Sequence, residues 1–251
     1  MKGIVMRNSH RHIGLALLAP ALMVPAIARA QHQPSGPQSP INLERAHACV
    51  TQLPRLVAAR RSAVTEVWRN TGSPDEDETI RVSATPPAGS LKVDGKSFQL
   101  RQYHLHTPAE HQINGAVGAM EIHYVHEAED GSLAVIAQLV SEGAPNAPFN
   151  PLLSAMPDQK SLSVTTESTD PLGHFLRPWL EQPRSYRYVG SLTTPPFTSG
   201  VAWIVLAEPI TFSAAQMARF KSLFPHGNSR PVQDIDGRIV KTDVAGFSRP
   251  C

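Results

Sequence analysis

Residues 102–126, QYHLHTPAEHQINGAVGAMEIHYVH, constrain the fold more tightly than any other stretch of the chain. Successive side chains of a β-strand point to opposite faces. Gln102, His104 and His106 therefore share one face, while Tyr103 and Leu105 point the other way, into packing. Glu121-Ile122-His123-Tyr124-Val125-His126 alternates in the same manner and puts Glu121, His123 and Val125 together. The Gly- and Asn-containing stretch between the runs is long enough for an antiparallel return. Such a return brings three imidazoles from two adjacent strands to one point.

The chain around this stretch reads as exported. Lys2, Arg7 and Arg11 precede an apolar run from Ile13 to Ile27, and Ala28-Arg29-Ala30 fits the small-x-small cleavage rule. Residues 1–30 are thus expected to be a signal peptide and residues 31–251 the mature domain. The apolar run is short and interrupted by proline, which disfavours a membrane span. The expected location is periplasmic or secreted, with no stable membrane anchor after cleavage. The leader holds four basic residues (Lys2, Arg7, Arg11, Arg29) and no acid, so its loss takes the formal net charge from +2 to about −2. No clustered basic patch remains to suggest nucleic acid. The two cysteines, Cys49 and Cys251, lie in a context where disulfides persist. They either pair or leave the last residue free. Neither sits beside a base, so thiol catalysis is disfavoured. Oligomeric state is left open, a homodimer included.

Taken in order, the mature chain is a succession of short strands. Residues 31–40 are polar, Pro-rich and aperiodic. Strands are expected over Ala63–Trp68, closed by the Asn70-Thr71-Gly72 turn, and over Thr79–Ser83. Pro74 to Glu78 is a solvated acidic run. Leu91–Val93 and Lys96–Leu100 form a hairpin about Asp94-Gly95, whose second arm runs into the His104 strand. Leu133–Val140 and Val201–Leu206 are apolar enough for doubly buried strands. A short helix is expected near Pro151–Ala155, loop over 157–170, and a helix from Ser213, where capping-box spacing reaches Gln216, to about Phe224. No repeat or linker divides the chain. The expected fold is mainly β with a few short helices, one domain on a large, twisted, mostly antiparallel central sheet.

A lone His-x-His is weak evidence for metal, since strand histidines are commoner as packing residues. The third histidine and its neighbours change the balance. Catalytic zinc takes three protein ligands and leaves one position open, and ligating imidazoles need acceptors on their other nitrogens. Gln102 and Glu121 each lie two residues before a histidine on the same face, placed to be those acceptors. The rival is a cupin, whose first motif His104-Leu-His106-x-x-x-Glu110 matches with the glutamate as ligand. A cupin requires a later Pro-x-Gly-x-x-His-x-x-x-Asn motif, which this chain lacks.

Together these residues make the chain resemble the alpha-class carbonic anhydrases, of the bacterial, exported type. The matches run through Gln38-Ser-Pro-Ile-Asn-Leu43, Gln102–His106 with Glu110-His111, Glu121–His126, Gly190-Ser-Leu-Thr-Thr-Pro-Pro196, Val201-Ala-Trp203 and Asn228-Ser-Arg-Pro-Val-Gln233, in family order. The resemblance implies Zn2+ on His104, His106 and His123, and zinc-bound hydroxide that converts carbon dioxide to bicarbonate. It implies a catalytic relay of Thr193 and Glu110, and a substrate pocket of Val125, Val135, Leu192, Thr194, Val201 and Trp203. It also implies a ten-strand sheet topology. His111 and His126 read as structural, the second lying on the opposite face from His123.

Three departures set the chain apart from that family. The proton-shuttle histidine of the Asn70-Thr71-Gly72 turn is replaced by Ser73 and the acidic run, and neither group matches a water titrating near neutrality. The aromatic-rich opening before Gln38 is missing. Phe197 stands where bacterial members carry a cysteine. A carbonic-anhydrase-like protein that binds without catalysis remains the competing reading, and retention of all three histidines with Glu110 and Thr193 counts against it.

Overall fold

Alternating sequence of this kind gives strands, and strands fill the computed structural model, which describes residues 35–60, 64–71, 78–168, 184–244 and 251. The leader and the 72–77 segment, with the Ser73 departure, lie outside the described residues. The strands are β1 (Asn42–Leu43), β2 (Ala48–Val50), β3 (Val57–Arg60), β4 (Val64–Asn70), β5 (Ile80–Thr85), β6 (Gly89–Val93), β7 (Lys96–His106), β8 (Gln112–Ile113), β9 (Ala116–Val117), β10 (Met120–Glu127), β11 (Leu133–Glu142), β12 (Ser163–Ser168), β13 (Ser185–Ser191), β14 (Ser199–Phe212) and β15 (Val240–Thr242). The helices are α1 (Asn150–Ala155) and α2 (Ala214–Lys221).

Ten strands run side by side in the order β12-β4-β5-β7-β10-β11-β14-β13-β15-β2, and β3 and β6 extend the sheet from β7. Most neighbours are antiparallel, whereas β11–β14 and β15–β2 are parallel. β7, paired along one edge with β10, is long enough to serve two partners on the other. Its first half closes the hairpin with β6 about Asp94 and Gly95, both at positive φ, as a two-residue turn requires. Its second half pairs with β5, setting Arg81 opposite His104.

The alternation separates two interiors. Tyr103, Leu105, Ile122, Tyr124 and Ile136 enter the larger core, which α2 covers with Met217 and Phe220. Fully burying a side chain of this size contributes about 1.5–3 kcal/mol, so this face anchors the sheet. Val125, Val135, Ala137, Trp203 and Val205 face the other way into a second cluster. The histidines stand on that second face.

Most expected elements form, and the capping box at Ser213 and Gln216 is present. Two differences have physical causes. Residues 157–170 are not all loop, because Ser163–Ser168 pairs with residues 64–69 of β4. It is a polar edge strand with one buried-side contact, Val164 against the core, and so lacks an apolar signature. The strand expected over Val201–Leu206 continues to Phe212 past Pro209, since the register shifts there and a bulge tolerates the missing N–H. Cys49 and Cys251 are joined in a disulfide.

Candidate metal centre

The β7–β10 register sets His104 beside His123 and His106 beside Glu121. The three imidazoles stand with ring centroids 4.6–5.2 Å apart. One nitrogen from each lies within 4.8 Å of the others. The outward nitrogens are all engaged. His104 Nδ1–H donates to Gln102 Oε1 (2.8 Å), His106 Nδ1–H to the Asn228 carbonyl (3.1 Å) and His123 Nε2–H to Glu121 Oε1 (2.9 Å). This leaves Nε2, Nε2 and Nδ1 turned toward one another. The Nε2 atoms of His104 and His106 are buried without a hydrogen-bond partner. A buried polar atom left so costs about 1–3 kcal/mol, and a cation at the centre of the three would relieve it. Burial, then the neighbouring imidazoles and Arg81, hold His104 well below its ordinary pKa; burial likewise lowers His123. Neutral imidazole is the ligand form, so the donor set suits zinc.

Glu121 anchors the arrangement. Its Oε1 also accepts from His111 Nδ1 (2.6 Å), and its Oε2 accepts the backbone N–H groups of Glu110 and His111 (2.8 Å each). Burial opposes its charge, but His111 and His123 outweigh that and hold the carboxyl well below the usual range. His111 is used up by these bonds and by Tyr188 Oη at 2.7 Å. The second metal-capable trio, His111, Glu121 and His123, is therefore already bonded within itself. His126 gives its Nδ1–H to the Tyr124 carbonyl, away from the centre.

Glu110 is fixed by its Oε1, which accepts the backbone N–H of Arg230 at 2.7 Å. Its Oε2 has no partner and lies 3.9 Å from His123 Nδ1. Thr193 is buried on the wall of the same cavity, without a hydrogen bond to Glu110 in this structure. Arg230 ties the surroundings together. Its side chain donates to Gln38 Oε1 and the Ser39 carbonyl, and stacks 3.9 Å from the Phe197 ring. The residue standing in the cysteine position is thus held by a cation–π contact.

A cavity of about 260 Å³ opens beside the histidines. Val125, Val135 and Trp203 are neighbours in one row across β10, β11 and β14, and with Leu192 they make its apolar wall. Gln102, Thr193 and Thr194 make the polar side. Val201 does not line the cavity; it is packed in the cluster beneath. Arg81, Leu133 and Pro195 do line it, and sequence reasoning assigned them no role. Arg81 sits within the expected 79–83 strand, but only the pairing of that strand with β7 brings it to the site. Asn228 was visible as a motif residue, yet its backbone carbonyl, not its side chain, meets His106.

The chain matches the family model for the eukaryotic-type carbonic anhydrases over residues 29–244. It is 34% identical to a carbonic anhydrase of Pectobacterium carotovorum over 81% of this chain and 78% of that protein. It is 40% identical to one of Klebsiella pneumoniae over 62% of each chain. Among solved structures it resembles the alpha-carbonic anhydrase of Thermovibrio ammonificans, determined with the inhibitor sulfanilamide. That likeness has a TM-score of 0.73 and 34% identity, and covers 82% of this chain and 86% of that one. A site of three converging imidazoles on a sheet of this order, and a match spanning nearly the whole of residues 35–244, place the chain in the eukaryotic-type (alpha) carbonic anhydrase family.

Proposed function

We propose that this protein catalyses the reversible hydration of carbon dioxide to bicarbonate and a proton, with zinc held by His104, His106 and His123. The observation that carries this reading is the convergence of three imidazole nitrogens, two of them buried without a hydrogen-bond partner, beside a partly apolar cavity that His104 and His123 line. Zinc bound there would lower the pKa of its water to about 7 and so supply hydroxide at neutral pH.

The chain's own residues do the rest. Gln102, the Asn228 carbonyl and Glu121 orient the imidazoles and fix which nitrogen carries the proton. Glu110 Oε2 is a free acceptor; a Thr193 hydroxyl that donates to it can only accept from the nucleophile, which aims a lone pair at the substrate carbon. Val125, Val135, Leu192 and Trp203 hold a nonpolar gas with little desolvation. Residues 1–30 direct export and 31–251 form the catalytic domain, a reading supported by the Cys49–Cys251 disulfide, a bond kept in oxidising compartments.

Stopped-flow hydration of carbon dioxide by the mature protein, with bound zinc quantified on the same sample, tests this. Zinc-dependent hydration that His106→Ala abolishes is the expected result. Full zinc content with no hydration above background would refute catalysis.

A further inference from the structure

Thr193 sits on a loop that no disulfide holds. The loop joins β13 to β14 over residues 192–198, and the chain's two cysteines are paired with each other elsewhere. Two main-chain hydrogen bonds close it: Leu192 N–H donates to the Thr198 carbonyl (2.9 Å) and Phe197 N–H to the Thr194 carbonyl (2.8 Å). Thr193 and Thr194, which line the cavity, lie between those bonds. Phe197 turns the chain at φ +59°, a left-handed conformation that a bulky residue keeps only when its surroundings hold it there. The holder is Arg230. Its guanidinium lies 3.9 Å from the centre of the Phe197 ring and is itself fixed by bonds to Gln38 Oε1 (3.0 Å) and the Ser39 carbonyl (2.6 Å). Gln38 Nε2 in turn donates to the Phe197 carbonyl at 3.4 Å. The main-chain N–H of the same arginine holds Glu110 Oε1.

We infer that Phe197 and Arg230 form a clamp that positions Thr193 against Glu110, which makes Phe197 a positioning residue for the hydration reaction proposed above, the reading on which this inference rests. One arginine then sets both relay partners, Glu110 through its backbone and the threonine loop through its side chain. Phe197 does not line the cavity, so it acts through the loop rather than on the substrate. A cation–π contact gains strength where water is partly excluded, and both Phe197 and Arg230 are half-buried. The contact has direction as well as strength. The guanidinium must stay over the ring face, which fixes the tilt of the 194–197 turn and, through the two main-chain bonds, the direction of the Thr193 hydroxyl. An aliphatic side chain of similar size would fill the space and leave that tilt free.

The test compares wild type, Phe197→Leu and Phe197→Tyr as full mature chains, alone and with Thr193→Val. Amide hydrogen exchange at Leu192 and Phe197 is read on the metal-free proteins, and stopped-flow hydration at saturating imidazole on the zinc-loaded ones. Phe197→Leu should speed exchange at both amides and slow hydration, each about three- to tenfold, the factor a partly desolvated cation–π contact supplies. Zinc content should not change, because the histidines lie on β7 and β10. Phe197→Tyr keeps the ring face and should restore both readings. Combined with Thr193→Val, Phe197→Leu should slow hydration no further, since the residue it acts through is gone; a residue that merely packs would slow it in either background. Exchange unchanged by Phe197→Leu overturns the inference, as does a full additional rate loss in the Thr193→Val protein. Should Phe197→Leu not fold, Arg230→Gln removes the cation, keeps the N–H that holds Glu110, and is read in the same way. Exchange requires no catalysis, so a failure of the hydration reading is told apart from a failure of the clamp.

Discussion

Glu66 is a buried carboxyl that catalysis does not use, and it makes stability depend on pH in a way that can be worked out. It faces inward on β4 with Val64 and Trp68 and is 2% exposed. Its Oε1 accepts one long hydrogen bond, from the Tyr103 hydroxyl at 3.5 Å. Burial raises its pKa from 4.5 to about 7, and Trp68 and Tyr103 offset only part of that rise. Between those two values the folded protein keeps a proton that the unfolded chain has released. The Glu66 contribution to stability is therefore fullest below pH 4.5, falls as pH rises through the window, and is lost above 7. At about 1.4 kcal/mol per unit the interval is worth about 3 kcal/mol, and relaxation of the surroundings about the charged carboxylate trims this to about 2 kcal/mol. Glu66→Gln removes the proton but keeps the oxygen that accepts from Tyr103. The variant should match wild type near pH 4.5 and exceed it by about 2 kcal/mol at pH 8. Equilibrium urea unfolding from pH 4.5 to 8 measures this, with metal chelated from both proteins so that ligand protons add no slope of their own. Parallel stability curves for the two proteins would refute the reasoning.

Three further outcomes are expected. With Ser73 and carboxylates in place of a shuttle histidine, hydration should be limited by proton release and rise about tenfold or more with imidazole; a rate indifferent to imidazole in stopped-flow would exclude this. Glu121→Gln leaves His111, His123 and two backbone N–H groups competing for a weaker acceptor, so zinc affinity should fall about 10- to 100-fold in competition with a chelator. An unchanged affinity would show that Glu121 does not orient His123. Reducing the Cys49–Cys251 bond should cost about 2–5 kcal/mol, seen as a lower urea midpoint with dithiothreitol; non-reducing peptide mapping should recover the linked pair, and two free thiols would contradict it.

What was legible in the sequence was legible because it is local. Alternation in 102–106 and 121–126 depends on a two-residue period, the Asp94-Gly95 hairpin on two residues that accept positive φ, and the α2 cap on Ser213 and Gln216. β12 was not legible, because its pairing is dictated by the edge that β4 leaves open rather than by its own polar residues. Val201 was expected in the pocket wall and is packed in the second cluster without lining the cavity, although alternation puts it on the same face of β14 as Trp203.

The sequence by itself determined the fold class, the residue types and the faces they occupy: two strands that each offer imidazole on one side and packing on the other. It determined too that Gln102 and Glu121 share those faces. Only the tertiary structure decided which nitrogens converge, that the Asn228 carbonyl completes the outward partners, that Arg81 enters the cavity opposite His104, and that Cys49 reaches Cys251. The reason is physical. A side chain's face follows from its own strand, but its neighbours follow from register between strands, and register is set by pairing and core packing among residues far apart in the chain.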